Sequence, residues 1–288
     1  EAITAGGISQ TSLDASSNLI TVNSFALGSA DVNDTVTSNV NFGAGVTNDT
    51  IESTLEANNV TYVLGGAETP VIQVGAKKAL GETTTPNTLY IKSGTSDAST
   101  PVFTFTPENE VTSGIVDFGI TYYGARTANS GSSTDSTYTY STPEIWVVGK
   151  DAAGNPVNRK LIYRSGSSSY YLSWEHKNGD SIVTSNGNAD SYTAYRLYNW
   201  KVSINLDNGT YSFAVVDKAN NTTPQNTSAS NLTLPDDLAE ITAIKFSHKM
   251  QKSTSSTPVN LEIRDFSKTK KKSYIEGLES TLSVAGDA

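Results

Sequence analysis

Two short stretches of the chain crowd aromatic, cationic and hydroxyl side chains together. Residues 163–177 read YRSGSSSYYLSWEHK, and residues 192–201 read YTAYRLYNWK. These are the side chains that hold a sugar. A flat ring lies against the apolar C–H face of a pyranose, and Arg, Lys, Asn and hydroxyl groups take its hydroxyls. The candidate ligand-binding residues are therefore Tyr170, Tyr171, Trp174, His176 and Lys177 in the first stretch. In the second they are Tyr195, Arg196, Tyr198 and Trp200. Lys177, Arg196 or Asn199 would fix the orientation of the ligand.

Period-2 alternation gives each ring a competing duty. Tyr170, Leu172 and Trp174 share one strand face, while Tyr171, Ser173 and Glu175 share the other. Leu172 marks the first as the core face, which leaves Tyr171 the more exposed tyrosine. Trp174 closes that strand, where it either caps the core or stands free. Trp200 and Tyr198 have the parity of Val202, Ile204 and Leu206, so core duty competes with ligand contact there too. Tyr195 and Arg196 sit further out. Trp146, between Ile145 and Val147, is expected in the core.

Catalytic schemes find less support. The chain has two histidines, His176 and His248, and no cysteine. Thiol nucleophiles, cysteine zinc sites and iron–sulfur clusters are thereby excluded. A glycosidase needs two opposed carboxylates. Glu144, Glu175, Asp117, Glu262 and Asp265 are present, but the sequence does not pair them. His176 with Tyr171 and Arg164 is the nearest set to an elimination lyase. The expectation is that the chain is not an enzyme. Asp31, Asp34 and Asp49 offer oxygen ligands for a structural Ca²⁺, but no D-x-D-x-D-G-x5-E loop is present. No organic cofactor is implied.

Composition narrows the classes further. Among 288 residues, Lys plus Arg is 20 against 29 Asp plus Glu, for a net charge of −9. That balance argues against nucleic acid, whose phosphates call for a basic stripe. It also favours neutral over acidic polymers at long range. No run approaches the roughly 18 apolar residues of a membrane span, so no membrane insertion is expected. The absence of cysteine, a single Met and the wealth of Ser, Thr and Asn suggest an exported bacterial surface protein. Glu1 is not an initiator Met, which suggests a mature or trimmed chain.

The elements that must carry these residues are strands. Short alternating runs rich in Val, Ile, Thr, Tyr and Phe recur at 18–25, 62–64, 70–75, 88–92, 101–106 and 114–123. They continue at 143–149, 160–164, 169–175, 191–206, 210–216, 240–248 and 258–266. The run at 143–149 (PEIWVVG) is almost wholly apolar and is expected to be buried on both faces. Asn178-Gly179 and Asp207-Asn208-Gly209 are hairpin turns, because Gly and Asn accept a positive φ. Residues 50–57 form either a short helix or an edge strand. The fold class is all-β: one antiparallel β-sandwich over residues 1–270, with residues 1–60 less regular and 271–288 a tail that begins in a lysine-rich run.

The segment NWKVSINLDNGTYSFA at 199–214 resembles a strand–turn–strand hairpin of jelly-roll and concanavalin-like sandwiches. There a Trp opens one strand and Tyr-x-Phe fills the next. Residues 241–266 are similar to the closing strand pair of carbohydrate-binding jelly rolls, and LYIKSG at 89–94 fits the same plan. The whole resembles extracellular bacterial carbohydrate-binding modules, including starch-binding modules of the cell-surface glucan-degrading systems of gut bacteria. The resemblance implies a non-catalytic, monomeric module that holds a neutral polysaccharide such as an α-glucan. The alternative is a structural or adhesive domain of a bacterial surface protein, which would bury nearly all its Trp and show no aromatic platform.

Overall fold

The computed structural model of the chain describes residues 8–14, 19–25, 36–66, 69–76, 83–92, 99–107, 110–124, 141–166, 172–185, 197–218, 226–235, 238–250 and 260–271. The chain begins with β1 (Ile8–Asp14) and β2 (Leu19–Phe25), which pair with each other, and β3 (Val36–Asn41). A 3-10 turn at Asn48–Thr50 leads into the short helix α1 (Ile51–Glu56), so the segment at 50–57 is helical. Then come β4 (Val60–Val63), β5 (Val71–Val74), β6 (Asn87–Lys92), β7 (Val102–Phe105), β8 (Ile115–Gly124) and β9 (Ser141–Asp151). They are followed by β10 (Pro156–Gly166), β11 (Leu172–Asn178), β12 (Ser181–Ser185), β13 (Leu197–Asn205) and β14 (Thr210–Asp217). The last are β15 (Thr227–Thr233), β16 (Leu238–Met250) and β17 (Asn260–Lys271).

Strands β3 to β17 make an antiparallel β-sandwich of jelly-roll type, and β1 and β2 form a two-stranded sheet of their own. A seven-stranded sheet has the order β12-β11-β10-β9-β16-β7-β4, and an eight-stranded sheet the order β15-β14-β13-β8-β17-β6-β5. β3 pairs with β17 and so adds an early segment of the chain to the second sheet. Lys268, Lys270 and Lys271, expected in or beside a solvated tail, instead belong to β17.

One aromatic layer fills the space between the sheets. Phe105 of the seven-stranded sheet lies 4.6 Å from Phe118 and 4.8 Å from Phe266 of the other, ring centre to ring centre. Towards the opposite end, Phe246 lies 5.4 Å from Tyr122, which in turn lies 5.8 Å from Trp200. Rings at these separations pack edge-on or tilted and bury large apolar areas. The facing strands alternate to match. β14 buries Tyr211, Phe213 and Val215 and half-exposes Ser212, Ala214 and Val216.

That alternation corrects the reading of 143–149. Pro143, Ile145, Val147 and Gly149 are buried, but Glu144, Trp146 and Val148 are only half-buried on the outer side. Trp146 is therefore not a core residue. Its strand is central in the sheet, yet an antiparallel sandwich layer has only one dry face.

Two features of the core are testable. A methyl group added at Gly149 would sit 1.7 Å from the carbonyl oxygen of Glu240, where β16 is bulged against β9. Gly149→Ala is expected to destabilise the fold by about 2–3 kcal/mol, read from urea unfolding. His248 is fully buried between the rings of Tyr122 and Phe246, and burial pushes its imidazole down to about 3 from 6.5. The folded protein thus holds this imidazole neutral, while the unfolded chain takes a proton below about pH 6.5. Its contribution to stability is full above that pH and is lost as the pH falls towards about 3. In His248→Phe, unfolding free energy should vary less steeply with pH across this window, by up to about 1.4 kcal/mol per pH unit. Urea titrations at stepped pH measure this, and equal slopes in the two proteins would contradict it.

Candidate functional site

The outer face of the seven-stranded sheet carries an aromatic and charged platform. Its geometry follows from strand register. Thr104 of β7, Lys245 of β16, Trp146 of β9 and Lys160 of β10 are successive cross-strand partners. The neighbouring row runs Val102, Ser247, Glu144, Tyr163 and Glu175, from β7 to β11. With adjacent strands about 4.8 Å apart, four side chains in a row span about 14 Å.

Lys160 and Tyr163 are three residues apart and in a regular strand would face opposite ways. A β-bulge between Lys160 and Ile162 changes this. Leu161 and Ile162 both turn inward and are fully buried, and Lys160 and Tyr163 both stand on the outer face. Tyr211 of the opposite sheet holds the bulge. Its buried phenol directs its single proton at the carbonyl oxygens of Leu161, at 3.1 Å, and of Lys177. Burial raises the pKa of Tyr211, so this proton stays in place.

The bulge assembles the centre of the platform. The ammonium of Lys160 lies 4.6 Å from the ring centre of Tyr163 and 5.1 Å from that of Trp146. It donates to Glu144 Oε1 at 2.5 Å, while Trp146 Nε1 donates to Glu144 Oε2 at 2.9 Å. Tyr163 donates to the carboxylate of Glu175, and its pKa is raised by burial first and then by Glu175 and Glu144. The phenol is therefore a fixed donor at neutral pH rather than a base. Both rings are half-buried and held by polar partners.

The residues read from the sequence are distributed differently. Trp200 has 0% of its surface exposed, Tyr198 2% and His176 4%. All three face the inter-sheet layer. Tyr198 and Trp200 pack on Tyr122, and His176 lies 5.1 Å from Phe213, with burial lowering its pKa. None of them offers a face to a ligand, because core parity prevails along β13 and β11. Lys177 is half-buried on the outer side of β11, and its ammonium donates to the Asp180 carbonyl at 3.4 Å. Asn199 donates to Thr121 Oγ1 at 2.8 Å on the other sheet. Trp174 pairs with Arg164 of β10 and Ser185 of β12, and its side chain lies outside the described residues. Tyr170, Tyr171, Tyr195 and Arg196 also lie outside them.

Of the five carboxylates considered for catalysis, Glu144 and Glu175 meet in one row with Tyr163 between them. Asp117, Glu262 and Asp265 belong to the other sheet, where buried Glu262 accepts from Arg264 at 3.1 Å and burial raises the pKa of Asp265. A groove of about 610 Å³ crosses that sheet, lined by Asp117, Lys201, Ser203, Ser212, Ser267 and Thr269 among others. Its two rings, Phe118 and Phe213, are core residues. Asp49 is exposed in the 3-10 turn, and Asp31 and Asp34 lie outside the described residues. Among the described residues no three His, Cys, Asp or Glu side chains cluster to hold a metal, and no helix is long and apolar enough to cross a membrane.

Trp146 and Lys160 of this platform are not among the candidate residues read from the sequence. The signal was present in EIWVV: Glu144 shares the parity of Trp146 and marks that face as wet.

No protein-family model matches the chain, and no curated protein matches it in sequence. Solved structures do match. The marine alginate lyase from Aplysia kurodai aligns with a TM-score of 0.51 at 9% identity, over 81% of this chain and 98% of that one. The lectin UEA-II, in complex with galactose, aligns at 0.48 and 5% identity, over 81% and 98%. A protein of unknown function from Shewanella oneidensis MR-1 aligns at 0.47 and 10% identity, over 87% and 90%. At such identities the likeness to the lyase is one of fold.

Removing the Tyr211 hydroxyl tests the hold on the bulge. Tyr211→Phe should cost about 1–3 kcal/mol in urea unfolding, because buried carbonyls lose their donor. A cost near zero would mean that the bulge stands without it.

Proposed function

We propose that the chain is a non-catalytic, exported saccharide-binding module and that its platform around Trp146 and Tyr163 is the contact surface. The observation that carries this reading is the pair of half-buried rings held by one lysine on a solvent-facing sheet. A pyranose stacks on such rings, and Glu175, Thr104 and Lys245 border them as hydroxyl partners. The fold is shared with an alginate lyase, a protein named for its action on a polysaccharide.

The chemistry of the platform supports binding over turnover. Glu144 is engaged at both oxygens by Lys160 and Trp146. Glu175 accepts the Tyr163 proton, and the raised pKa of Tyr163 withholds a phenolate. Neither a free general base nor a nucleophilic carboxylate stands at the centre of the rows. The composition, poor in Met and without Cys, supports export.

Affinity electrophoresis in native gels tests this reading, with starch, β-glucan, xylan, pectin or dextran sulfate as the embedded polymer. Retardation in at least one gel is expected. Trp146→Ala should weaken it about tenfold or more while the far-UV spectrum is retained, since a central ring carries much of such a contact. Unchanged mobility of the wild-type protein in every gel would reject the proposal in favour of a structural or adhesive domain.

A further inference from the structure

We propose that the platform selects anionic saccharides, with Lys245 and Lys249 meeting the uronate carboxylate or sulfate ester of the ligand. This rests on the reading of the platform as a saccharide site, and it departs from the neutral glycan that the overall charge suggests.

Among the described residues, the outer face of the seven-stranded sheet carries Lys150, Lys160, Lys177, Lys245 and Lys249 against Glu144, Glu175 and Glu240 and against Glu110, which reaches Lys150 at 3.4 Å from a neighbouring loop. These described residues leave a surplus of one positive charge, five lysines against four glutamates, in a chain whose net charge is −9. Its carboxylates already have partners. Glu144 takes Lys160, Glu240 takes Lys150 at 2.7 Å, and Glu175 takes the Tyr163 hydroxyl. Lys177 turns to the Asp180 carbonyl. Among the described residues, Lys245 and Lys249 form no ion pair, and both lie on β16, Lys245 opposite Trp146 and Lys249 opposite Thr142.

Their positions suit a stacked acidic sugar. Lys245 is the cross-strand partner of Trp146, on the side opposite Lys160. Lys249 follows four residues on, with Ser247 between them opposite Glu144. At about 3.4 Å per residue the two lysines are about 14 Å apart along the strand. A pyranose held on Trp146 therefore has an ammonium beside it, and a chain running along β16 meets a second. The acid groups elsewhere on the protein do not cancel this. Salt screens exposed charges beyond about 8–10 Å, so contact is governed by the lysines at hand.

The test uses native gels containing polygalacturonate, dextran sulfate, uncharged dextran or starch. Retardation by polygalacturonate, dextran sulfate or both is expected, and the pattern tells carboxylate from sulfate recognition. The double variant Lys245→Ala/Lys249→Ala should lose about tenfold in affinity, and Lys245→Arg/Lys249→Arg should keep it. Retardation should also weaken as NaCl rises from about 0.1 to about 0.5 M. Retardation by starch or dextran that the double alanine variant leaves unchanged would overturn anion selection and leave the saccharide reading standing. No retardation in any of the gels would overturn both.

Discussion

Two sheets close over a single dry layer of rings, and the placement of every other group follows from that closure. Phe105, Phe118 and Phe266 at one end and Tyr122, Trp200 and Phe246 at the other meet across the gap at 4.6–6.5 Å. Burying rings of this size supplies the driving force for the sandwich. It also sets the parity of each strand, since a side chain either enters that layer or stands on an outer face. Trp200, Tyr198 and His176 are drawn inward by this rule, and Trp146 is sent outward.

Strict parity would not have built the platform. Lys160 and Tyr163 reach the same face only because β10 is bulged at Leu161, and the bulge is tied to the opposite sheet by the Tyr211 phenol. One extra residue in one strand thus places a cation beside two rings and brings Glu144 and Glu175 into hydrogen bonds around them. The core and the surface are coupled at this point: a hydroxyl in the dry layer ties down the strand that carries the platform on the wet side.

Charge acts on two scales in this molecule. The net charge of −9 describes what approaches from a distance, whereas the lysines of β9, β10, β11 and β16 describe what is met at contact. Because salt shortens the reach of exposed charges to about 8–10 Å, the two need not agree in sign.

The all-β class, the strand-rich organisation and the Asn-Gly and Asp-Asn-Gly turns were legible in the residues, because period-2 patterning and positive φ are local properties. Gly179 and Gly209 do adopt φ of 57° and 61°. The parity of Trp200 with Val202 and Ile204 was legible too, and it announced the burial that removes this ring from any ligand. The candidate platform was less legible. Aromatic density along the chain pointed to residues 163–177 and 192–201, whereas the sheet order joined Tyr163 to Trp146 and Lys245, residues up to 99 positions apart in the chain. A bulge adds no mark to composition, and cross-strand neighbours are set by which strands pair. The sequence by itself determined the kind of element and the alternation within it. The tertiary structure decided which face of each strand is dry and which rings share a surface, because both depend on contacts between strands that no single strand contains.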